Sequence, residues 1–267
     1  MIVETGKIRR RIGNQLSPEL SAVMKVLDEN CLAEVMRLQY MIIERLSRKD
    51  MLQPFPPEFM RSHLSEKGFI IGVLVENELV AFRNVYYPDA TDQEWNLGSD
   101  IGFSKEECRR SVNFQMVCVH PLYRGNNLAY KMNCQAIRLI REQERFDHLL
   151  ATVSPYNYWN VNTLLKSGFI IVGLKYKYGG KLRYIVYRNL KSTPSSLPET
   201  DQVAGLTDFQ KQEKILREGY HGFRICEIPG VHTPVDEICD PHHISRIPER
   251  YEIHFSKSPV AGIHKHG

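Results

Sequence analysis

The stretch that decides the fold spans residues 116–129 and has the sequence MVCVHPLYRGNNLA. Apolar strand residues are followed by a turn that contains proline and glycine, and then by the start of a helix. The first N–H groups of a helix have no partner within it, and the positive helix end attracts phosphate. Gly125 allows a ligand to approach the backbone, and Asn127 is of a type that tolerates a left-handed conformation. The stretch therefore predicts a phosphate-binding turn.

Two widespread phosphate motifs are absent from this turn. No Gly-Lys-Ser/Thr follows it, which excludes a Walker P-loop, and GxGxxG does not occur, which excludes the dinucleotide fingerprint. A Gly-Asn turn between a strand and a helix is by itself most often structural, so both interpretations stay open on these residues alone.

Strands and helices alternate on both sides of the turn. Downstream, the sequence predicts a helix over 125–144, a strand over 148–153, a short helix over 157–167, and strands over 169–178 and 182–189. Upstream, it predicts a helix over 32–46, a short helix over 57–66, a hairpin over 69–75 and 79–87, a polar loop over 88–112 and a strand over 114–119. Ser17-Pro18-Glu19-Leu20 predicts a further helix start, with serine as N-cap and proline in the first helical position.

The composition changes after residue 190. STPSSLPET at 192–200 is typical of a linker, and a helix over 208–218 with strands near 221–228 and 251–256 predicts a small α/β appendage. We therefore expect an α/β main domain over 1–190, a linker over 191–200 and an appendage of unknown role over 201–267.

Positive charge is concentrated in the middle of the chain. Residues 113–190 carry 11 basic and 3 acidic side chains, although the net charge of the whole chain is only +4. The small total argues against a polybasic nucleic-acid binder. The local excess suits a compact polyanion, and a solvated surface face is the alternative.

Hydropathy and cysteine usage indicate a reduced, cytoplasmic protein. The longest apolar stretch, residues 68–75, is far shorter than the roughly 20 residues of a membrane span, and basic residues follow the first methionine too soon for a signal peptide. The six cysteines are dispersed and form no CxxC pair, so a disulfide-stapled secreted module is not expected.

Two motifs resemble those of a known family. Val119-His120-Pro121-x-Tyr123-Arg124-Gly125-x-x-Leu128-Ala129 resembles the acetyl-CoA loop of the GNAT superfamily of N-acetyltransferases, whose signature is Arg/Gln-x-x-Gly-x-Gly/Ala. Asn127 stands where that signature has glycine. Asn157, followed by Gly168-Phe169, resembles the family's second element. The resemblance covers about two thirds of the chain, from about 20 to 190, and implies the GNAT fold, a mixed central sheet flanked by helices.

The resemblance also implies a cofactor, acetyl-CoA, with CoA as the product. The strand that contains Val117, Cys118 and Val119 would pair with the pantetheine arm, and one of its N–H groups would polarise the thioester carbonyl. The pyrophosphate would lie on the backbone of Arg124, Gly125, Asn126, Asn127, Leu128 and Ala129. Asn157 would hydrogen-bond the pantetheine, with Asn160 one turn further along. A helix cap or a solvated face is the alternative for either asparagine.

The general acid and base are harder to assign. Leu164 stands where many family members carry a tyrosine acid, and Tyr156 or Tyr158 could substitute, although packing is the commoner role of such tyrosines. His120 ends a strand beside a proline, where a structural role is expected. The loop carboxylates that could act as a base are Glu94, Asp100, Glu106 and Glu107. Charged loops are usually only solvated, so no base is assigned.

The C-terminal histidines and cysteines do not predict a metal site. Cys226, His232, Cys239, His242 and His243 are separated by spacings that match no compact zinc pattern.

We therefore expect an acetyl-CoA-dependent N-acetyltransferase that acts by direct attack of a primary amine of a small molecule. The missing base favours an amine of low pKa. A peptide α-amine is a second acceptor class. The alternatives are a non-catalytic acyl-CoA sensor and an interaction module on the same fold. The appendage would cover the acceptor side or form a homodimer contact. No nucleic-acid or membrane partner is expected.

Overall fold

The computed structural model describes residues 1–192, 197–228 and 248–257. The strands in these ranges are β1 (Ile2–Ile12), β2 (Gln15–Val26), β3 (Gly68–Val75), β4 (Glu78–Tyr86), β5 (Ser111–Val119), β6 (His148–Val153), β7 (Ile170–Lys177), β8 (Lys181–Asn189), β9 (Gln202–Gly205), β10 (His221–Glu227) and β11 (Tyr251–Ser256). The α-helices are α1 (Leu32–Glu44), α2 (Pro57–His63), α3 (Lys105–Arg109), α4 (Leu128–Arg141), α5 (Tyr158–Lys166) and α6 (Phe209–Arg217). None of the described helices is long and apolar enough to cross a membrane.

One mixed sheet carries all the described strands. Its order is β1-β2-β3-β4-β5-β6-β8-β7-β10-β11-β9. Among the described pairs, β5 and β6 are parallel and the others are antiparallel. The predicted fold class, a mixed α/β sheet flanked by helices, is confirmed.

Helices cover both faces of the sheet because its central strands are apolar on both sides. Phe82, Met116 and Cys118 pack with α1 and α2 on one face. Phe114 and Phe169 belong to the core on the other face, which contains the apolar residues of α4 and α5. A continuous apolar strand such as β3 is the expected result of burial on two sides.

The predicted hairpin over 69–87 is confirmed. β3 and β4 pair from Gly68↔Tyr86 to Val75↔Glu78, and Glu76 and Asn77 adopt left-handed φ angles of 51° and 67°. Positive φ at both central residues is the geometry of the tight turns that match strand twist.

The helix predicted at Ser17-Pro18 is wrong, because these residues belong to β2. Pro18 is tolerated there because it lies at an irregularity of the β1–β2 ladder, between the pairs Arg9↔Glu19 and Arg11↔Leu16. A proline that donates no ladder hydrogen bond is tolerated at such a bulge. On its other side, β2 pairs with β3 only from Ala22 onward, so this part of the hairpin projects beyond the sheet.

β9, β10 and β11 extend the edge of the sheet. β10 pairs with β7 at Gly222↔Ile171, and β11 lies between β10 and β9. A stacked ring pair, Tyr158 of α5 and Tyr251 of β11, with centroids 4.5 Å apart, joins the two parts of the chain.

Candidate functional site

The parallel strands β5 and β6 pair along only part of their length. The ladder runs from Ser111↔His148 to Phe114↔Ala151, although β5 continues to Val119. The β4–β5 register shifts at this point, because Asn84 faces Met116 while Val85 faces Phe114, which leaves Gln115 as the extra residue of a bulge. Bulges bend a strand and interrupt its pairing. An opening therefore begins between β5 and β6 immediately after Phe114.

The backbone of β5 turns unpaired donors toward this opening. The His120 N–H donates to the Val80 carbonyl on β4 at 2.8 Å. Backbone groups alternate along a strand, so Cys118 also faces β4, while the N–H groups of Val117 and Val119 face the opening. β6 does not pair with either residue.

Cys118 is the member of the predicted cofactor set that faces away from the opening. Its side chain is 1% exposed, and burial raises the pKa of its thiol to about 12. The thiol is therefore a neutral core group, and the contribution of Cys118 is to hold its two neighbours in register.

The opening forms a cleft with about 510 Å³ of space, part of which is open to solvent. Four buried side-chain atoms on its lining have no hydrogen-bond partner in the structure. They are Arg83 Nη2, Gln115 Nε2, Ser154 Oγ and Asn160 Oδ1. Because an unpaired buried polar group costs about 1–3 kcal/mol, these atoms indicate a place for a polar ligand or ordered water.

Arg83 lies on the α4 side of the cleft. It is 2% exposed, its Nε donates to Asn133 Oδ1 at 2.9 Å, and its guanidinium lies 4.7 Å from the centre of the Phe114 ring. Burial lowers the pKa of this arginine to about 9. The sequence analysis did not identify Arg83, since a single arginine within an apolar strand gives no signal of where its side chain ends.

The predicted phosphate-binding turn has the predicted conformation. Gly125 has φ 86°, and Asn127 is left-handed, with φ 56° and ψ 25°. Asn127 is also the N-cap residue of α4, but its side chain caps no N–H group of the helix. The first backbone bond of the helix runs from Lys131 N–H to the Asn127 carbonyl at 3.0 Å, so the amides of Leu128 and Ala129 have no partner within the helix.

The Asn126 side chain is engaged elsewhere. Its Oδ1 accepts from the Arg9 N–H at 2.9 Å, and its Nδ2 donates to the carbonyls of Arg9 at 2.7 Å and Tyr123 at 2.9 Å. The side chain thus ties the turn to β1, and only the backbone of Asn126 remains for a ligand.

Arginines surround the turn. The pKa of His120 is lowered by burial first, and then by the charges of Arg45, Arg124 and Arg10, against an opposing effect of Glu78. His120 Nδ1 accepts from the Leu122 N–H at 3.2 Å, so the ring has the structural role expected for it. The three arginines give the turn a positive environment suited to phosphate.

Asn157 and Asn160 both lie on the cleft lining, as does Leu164. Asn157 is the N-cap of α5, and its Oδ1 accepts from the Asn160 N–H at 3.2 Å. The cap that the sequence analysis gave as the alternative therefore exists. Asn160 Oδ1 is nevertheless buried without a partner and is free to accept from a ligand.

The two tyrosines proposed as substitute acids do not line the cleft. Tyr158 is buried against Tyr251, and burial, more than any other effect, raises its pKa. Tyr156 lies under Arg48, whose guanidinium is 3.6 Å from the ring centre, and contacts Phe209 of α6. Both have the packing role that the sequence analysis gave as the alternative.

The structure brings no candidate base into the cleft, since neither a carboxylate nor a histidine occurs on the lining formed by the described residues. Asp100 forms an ion pair with Lys177 at 2.5 Å, and Glu106 forms one with Arg109 at 2.8 Å. The Glu107 carboxylate accepts a hydrogen bond from the Ser104 N–H at 2.8 Å and so caps the start of α3. Glu94 is likewise absent from the lining.

The side of the cleft toward α1 and α2 contains residues that the sequence analysis did not identify. Gln53 and Arg183 are on its lining, and Lys181 donates to Gln53 Oε1 at 2.8 Å. Tyr178 lies next to this region, with its hydroxyl 3.2 Å from Thr152 Oγ1. Burial raises the pKa of Tyr178 to about 12. The one sequence feature near Tyr178, Lys181 and Arg183 that could have drawn attention is the Gly179-Gly180 turn, and that feature predicts a hairpin rather than a binding site.

No cluster of metal-ligating side chains occurs within the described ranges. His232, Cys239, His242 and His243 lie outside those ranges. Cys226 is a free cysteine in β10.

Comparisons with known proteins gave matches among solved structures alone. No family model and no curated protein matches the chain. The acetyltransferase of the GNAT family from Streptococcus pneumoniae is 15% identical, with 63% of this chain and 98% of that chain covered and a TM-score of 0.49. The ribosomal-protein-S18-alanine N-acetyltransferase from Escherichia coli is 12% identical over 67% and 99% of the two chains, with a TM-score of 0.48.

A third similar structure is the aminoglycoside acetyltransferase AAC(6')-Ib in complex with coenzyme A and kanamycin. It is 12% identical over 63% of this chain and 94% of that chain, with a TM-score of 0.47. The structures similar to this chain thus include a member of the family that its two motifs resemble. The likeness is one of fold, and the chemistry of this chain rests on its own residues.

Proposed function

We propose that this chain is an acetyl-CoA-dependent N-acetyltransferase that acts on a primary amine of a small molecule by direct attack. The observation that carries the proposal is the unpaired half of β5. Its Val117 and Val119 N–H groups face a cleft next to the positively charged start of α4. A donor row beside an anion-binding turn suits an extended ligand with amides at one end and phosphates at the other.

The residues present fit that ligand. Because the Arg124 N–H donates to the Pro121 carbonyl at 3.2 Å, the backbone of 125–129 would hold the pyrophosphate, in the field of Arg10, Arg45 and Arg124. Amides of the pantetheine arm would supply the partners that Asn160 Oδ1 and Gln115 Nε2 lack. When bound, acetyl-CoA supplies an acetyl group activated as a thioester.

The Val117 N–H is a preorganised donor for the carbonyl oxygen of that thioester, and the Val119 N–H, nearer the turn, is a donor for the pantetheine arm. A donor held in place by a strand needs no reorganisation as negative charge develops on the oxygen. The bound thioester would accept the amine nitrogen at its acetyl carbon, with the electron pair of the broken carbon–sulfur bond going to the sulfur as a thiolate.

Leu164, 1% exposed, provides no proton for the leaving sulfur. A thiol has a pKa of about 8.5, so the thiolate is a tolerable leaving group. Without a base on the cleft lining, the amine's proton goes to solvent at the mouth of the cleft. Since a lysine-like amine is far harder to deprotonate at pH 7 than an α-amine, this arrangement favours an acceptor of low pKa.

We take residues 1–190 as the catalytic unit, with 201–267 as an appendage that covers the acceptor side or forms a homodimer contact. Phe209 of α6 supports the first role, because its ring is 5.4 Å from that of Tyr156, beside the Arg48–Asp50 pair. The cytoplasmic location stays a prediction.

Thermal unfolding with acetyl-CoA and CoA tests the proposal, with dephospho-CoA and ATP as controls. At about 100 times its dissociation constant, a specific ligand stabilises the folded state by about 2.7 kcal/mol. We expect a clear rise in Tm with acetyl-CoA and CoA, followed by CoA release in a screen of amines. The absence of any shift would contradict the proposal.

The second candidate is an acyl-CoA sensor without catalysis. Leu164 and the absence of an acid or base on the described cleft lining favour it. Stabilisation by acetyl-CoA without CoA release from any amine would support the sensor, whereas saturable release would eliminate it.

A further inference from the structure

A buried arginine lies at the open end of the cleft, on the side opposite Arg83. Arg183 is 3% exposed and lines the cleft. β6 and β8 pair as far as Val153↔Tyr184, so Arg183 lies one residue beyond the last pair, where the opening is widest.

The hydrogen-bond partners of Arg183 are neutral carbonyl groups. Its Nη2 donates to the Asp50 carbonyl at 2.6 Å, and its Nη1 donates to the Leu182 carbonyl at 2.9 Å. The Asp50 carboxylate is turned to Arg48, with which it forms an ion pair at 2.9 Å. Within the described residues, no carboxylate forms an ion pair with Arg183, and its remaining N–H donors have no protein partner.

A second cation increases the positive charge at this place. Lys181 Nζ is held by Gln53 Oε1, and its pKa is lowered by burial first and then by the charge of Arg183. The charge of Asp50 acts on Arg183 and Lys181 as well as on Arg48, so one carboxylate faces three cations and the group keeps a net positive charge. Because Arg183 is buried and forms no ion pair with a described carboxylate, the pair is suited to an anionic group from a ligand.

The position of Arg183 identifies which ligand carries that group. Side chains alternate along β8, and Tyr184 faces the core that includes α4 and α5, where it bonds Gln212 at 2.6 Å. Arg183 therefore faces the loop before α2, while the phosphate-binding turn and Asn160 serve the other side. A molecule that meets the thioester from the side of Arg183 is the acceptor.

We propose that the acceptor is an amino acid or a similar amine that carries a carboxylate, and that Arg183, supported by Lys181, binds this carboxylate. The inference rests on the proposed acetyltransferase function and names its substrate class. The planar guanidinium fork matches a carboxylate with two parallel hydrogen bonds, which fixes the amine relative to the acetyl group.

The test measures CoA release by the full-length protein from acetyl-CoA with matched acceptor triplets. Each triplet consists of an α-amino acid, its carboxamide and the amine that lacks the carboxylate. A parallel arm replaces acetyl-CoA with succinyl-CoA, which places the carboxylate on the acyl group instead. Because the carboxylate raises the pKa of the neighbouring amine, kcat/KM is expressed per unprotonated amine. We expect this value for the amino acid to exceed that for the carboxamide by at least about 30-fold, the lower end of what a buried charge pair provides.

Variants of Arg183 connect the preference to this side chain. Arg183→Gln should reduce the ratio of acid to amide toward one, mainly through KM, and Arg183→Lys should restore part of it. Thermal stabilisation by acetyl-CoA should be unchanged in both variants, because the cofactor residues are on the other side. Arg217→Gln, at an exposed arginine paired with Glu213, is the matched control.

The outcomes separate the two proposals. Turnover without preference for the carboxylate, a preference that survives Arg183→Gln, or a preference carried only by succinyl-CoA would overturn the assigned substrate class and leave the acetyltransferase intact. Stabilisation by acetyl-CoA without turnover of any acceptor would overturn the acetyltransferase, and this inference with it. If Arg183→Gln fails to fold, the carboxylate preference of the wild-type protein and its change in Arg183→Lys test the assigned substrate class.

Discussion

The two halves of β5 are alike in composition and different in role. In the first half of β5, residues 111–114 pair with β6, and residues 113 and 114 pair with β4 as well. In the second half, residues 116–119 pair with β4 alone. An ion pair between Arg110 and the Asp147 carboxylate joins the residues that immediately precede β5 and β6, at the closed end of the pair. A strand therefore gains a row of free backbone donors, able to bind a ligand, where its partner strand stops pairing with it.

Proline substitutions should break this comparison most strongly. Val117→Pro removes an N–H that faces the opening and belongs to no ladder, so the protein should fold and lose about 10²-fold in kcat, the usual effect of removing one such donor. Asn113→Pro, at a residue that pairs with both β4 and β6, should fail to fold. Circular dichroism and CoA release check the pair, and a fully active Val117→Pro enzyme would contradict the assigned role of the open half.

A substitution in the phosphate-binding turn should have the next largest effect. Asn127→Val places a β-branched residue at φ 56°, which should destabilise the fold by about 1–2 kcal/mol and weaken acetyl-CoA binding. Asn127→Gly is the control and should retain both properties. Unfolding in urea and titration with acetyl-CoA measure them, and equal binding by the two variants would show that the turn conformation is not required.

The closed end should respond to acid. Hydrogen bonding to Arg110 lowers the pKa of Asp147 to about 2, below its unfolded value of 3.8, with a further contribution from Lys191. The stability from this group is therefore present above pH 3.8 and lost as the pH falls through about 2. Asp147→Asn should cost about 1–2 kcal/mol at pH 7, with a difference from wild type that shrinks between pH 4 and 2. Urea unfolding across this range is the measurement, and a constant difference would contradict the assignment.

The smallest effect is expected where the turn meets the N-terminal hairpin. Asn126→Ala removes the hydrogen bonds to the Arg9 backbone and should destabilise β1 by about 1 kcal/mol without abolishing acetyl-CoA binding. Hydrogen exchange of the β1 amides reports the loosening. Asn77→Ala, in the turn between β3 and β4, is the control. It removes an asparagine from another left-handed turn position and should leave the hydrogen exchange of the β1 amides unchanged.

Much of the fold and part of the site could be predicted from the sequence. The bounds of β6 and β11 agree with the predicted strands, and Asn127 has the predicted left-handed conformation. β1 and β2 were not predicted, because Ser17-Pro18 has the local signature of a helix start. The missing β6 partner of Val117 and the buried positions of Arg83 and Arg183 could not be predicted, since each depends on the neighbouring strands.

The sequence by itself determined the order of the central elements, the turn at 124–129 and the absence of familiar phosphate and metal motifs. These properties depend on local periodicity, on the backbone preferences of glycine and asparagine, and on residue spacing. Only the tertiary structure decided which half of β5 is open, that Tyr156 and Tyr158 pack away from the cleft, and that Arg183 is buried on the cleft lining. Those outcomes depend on which strands are neighbours and where their pairing ends, and contacts between distant residues leave no periodic signal in the chain.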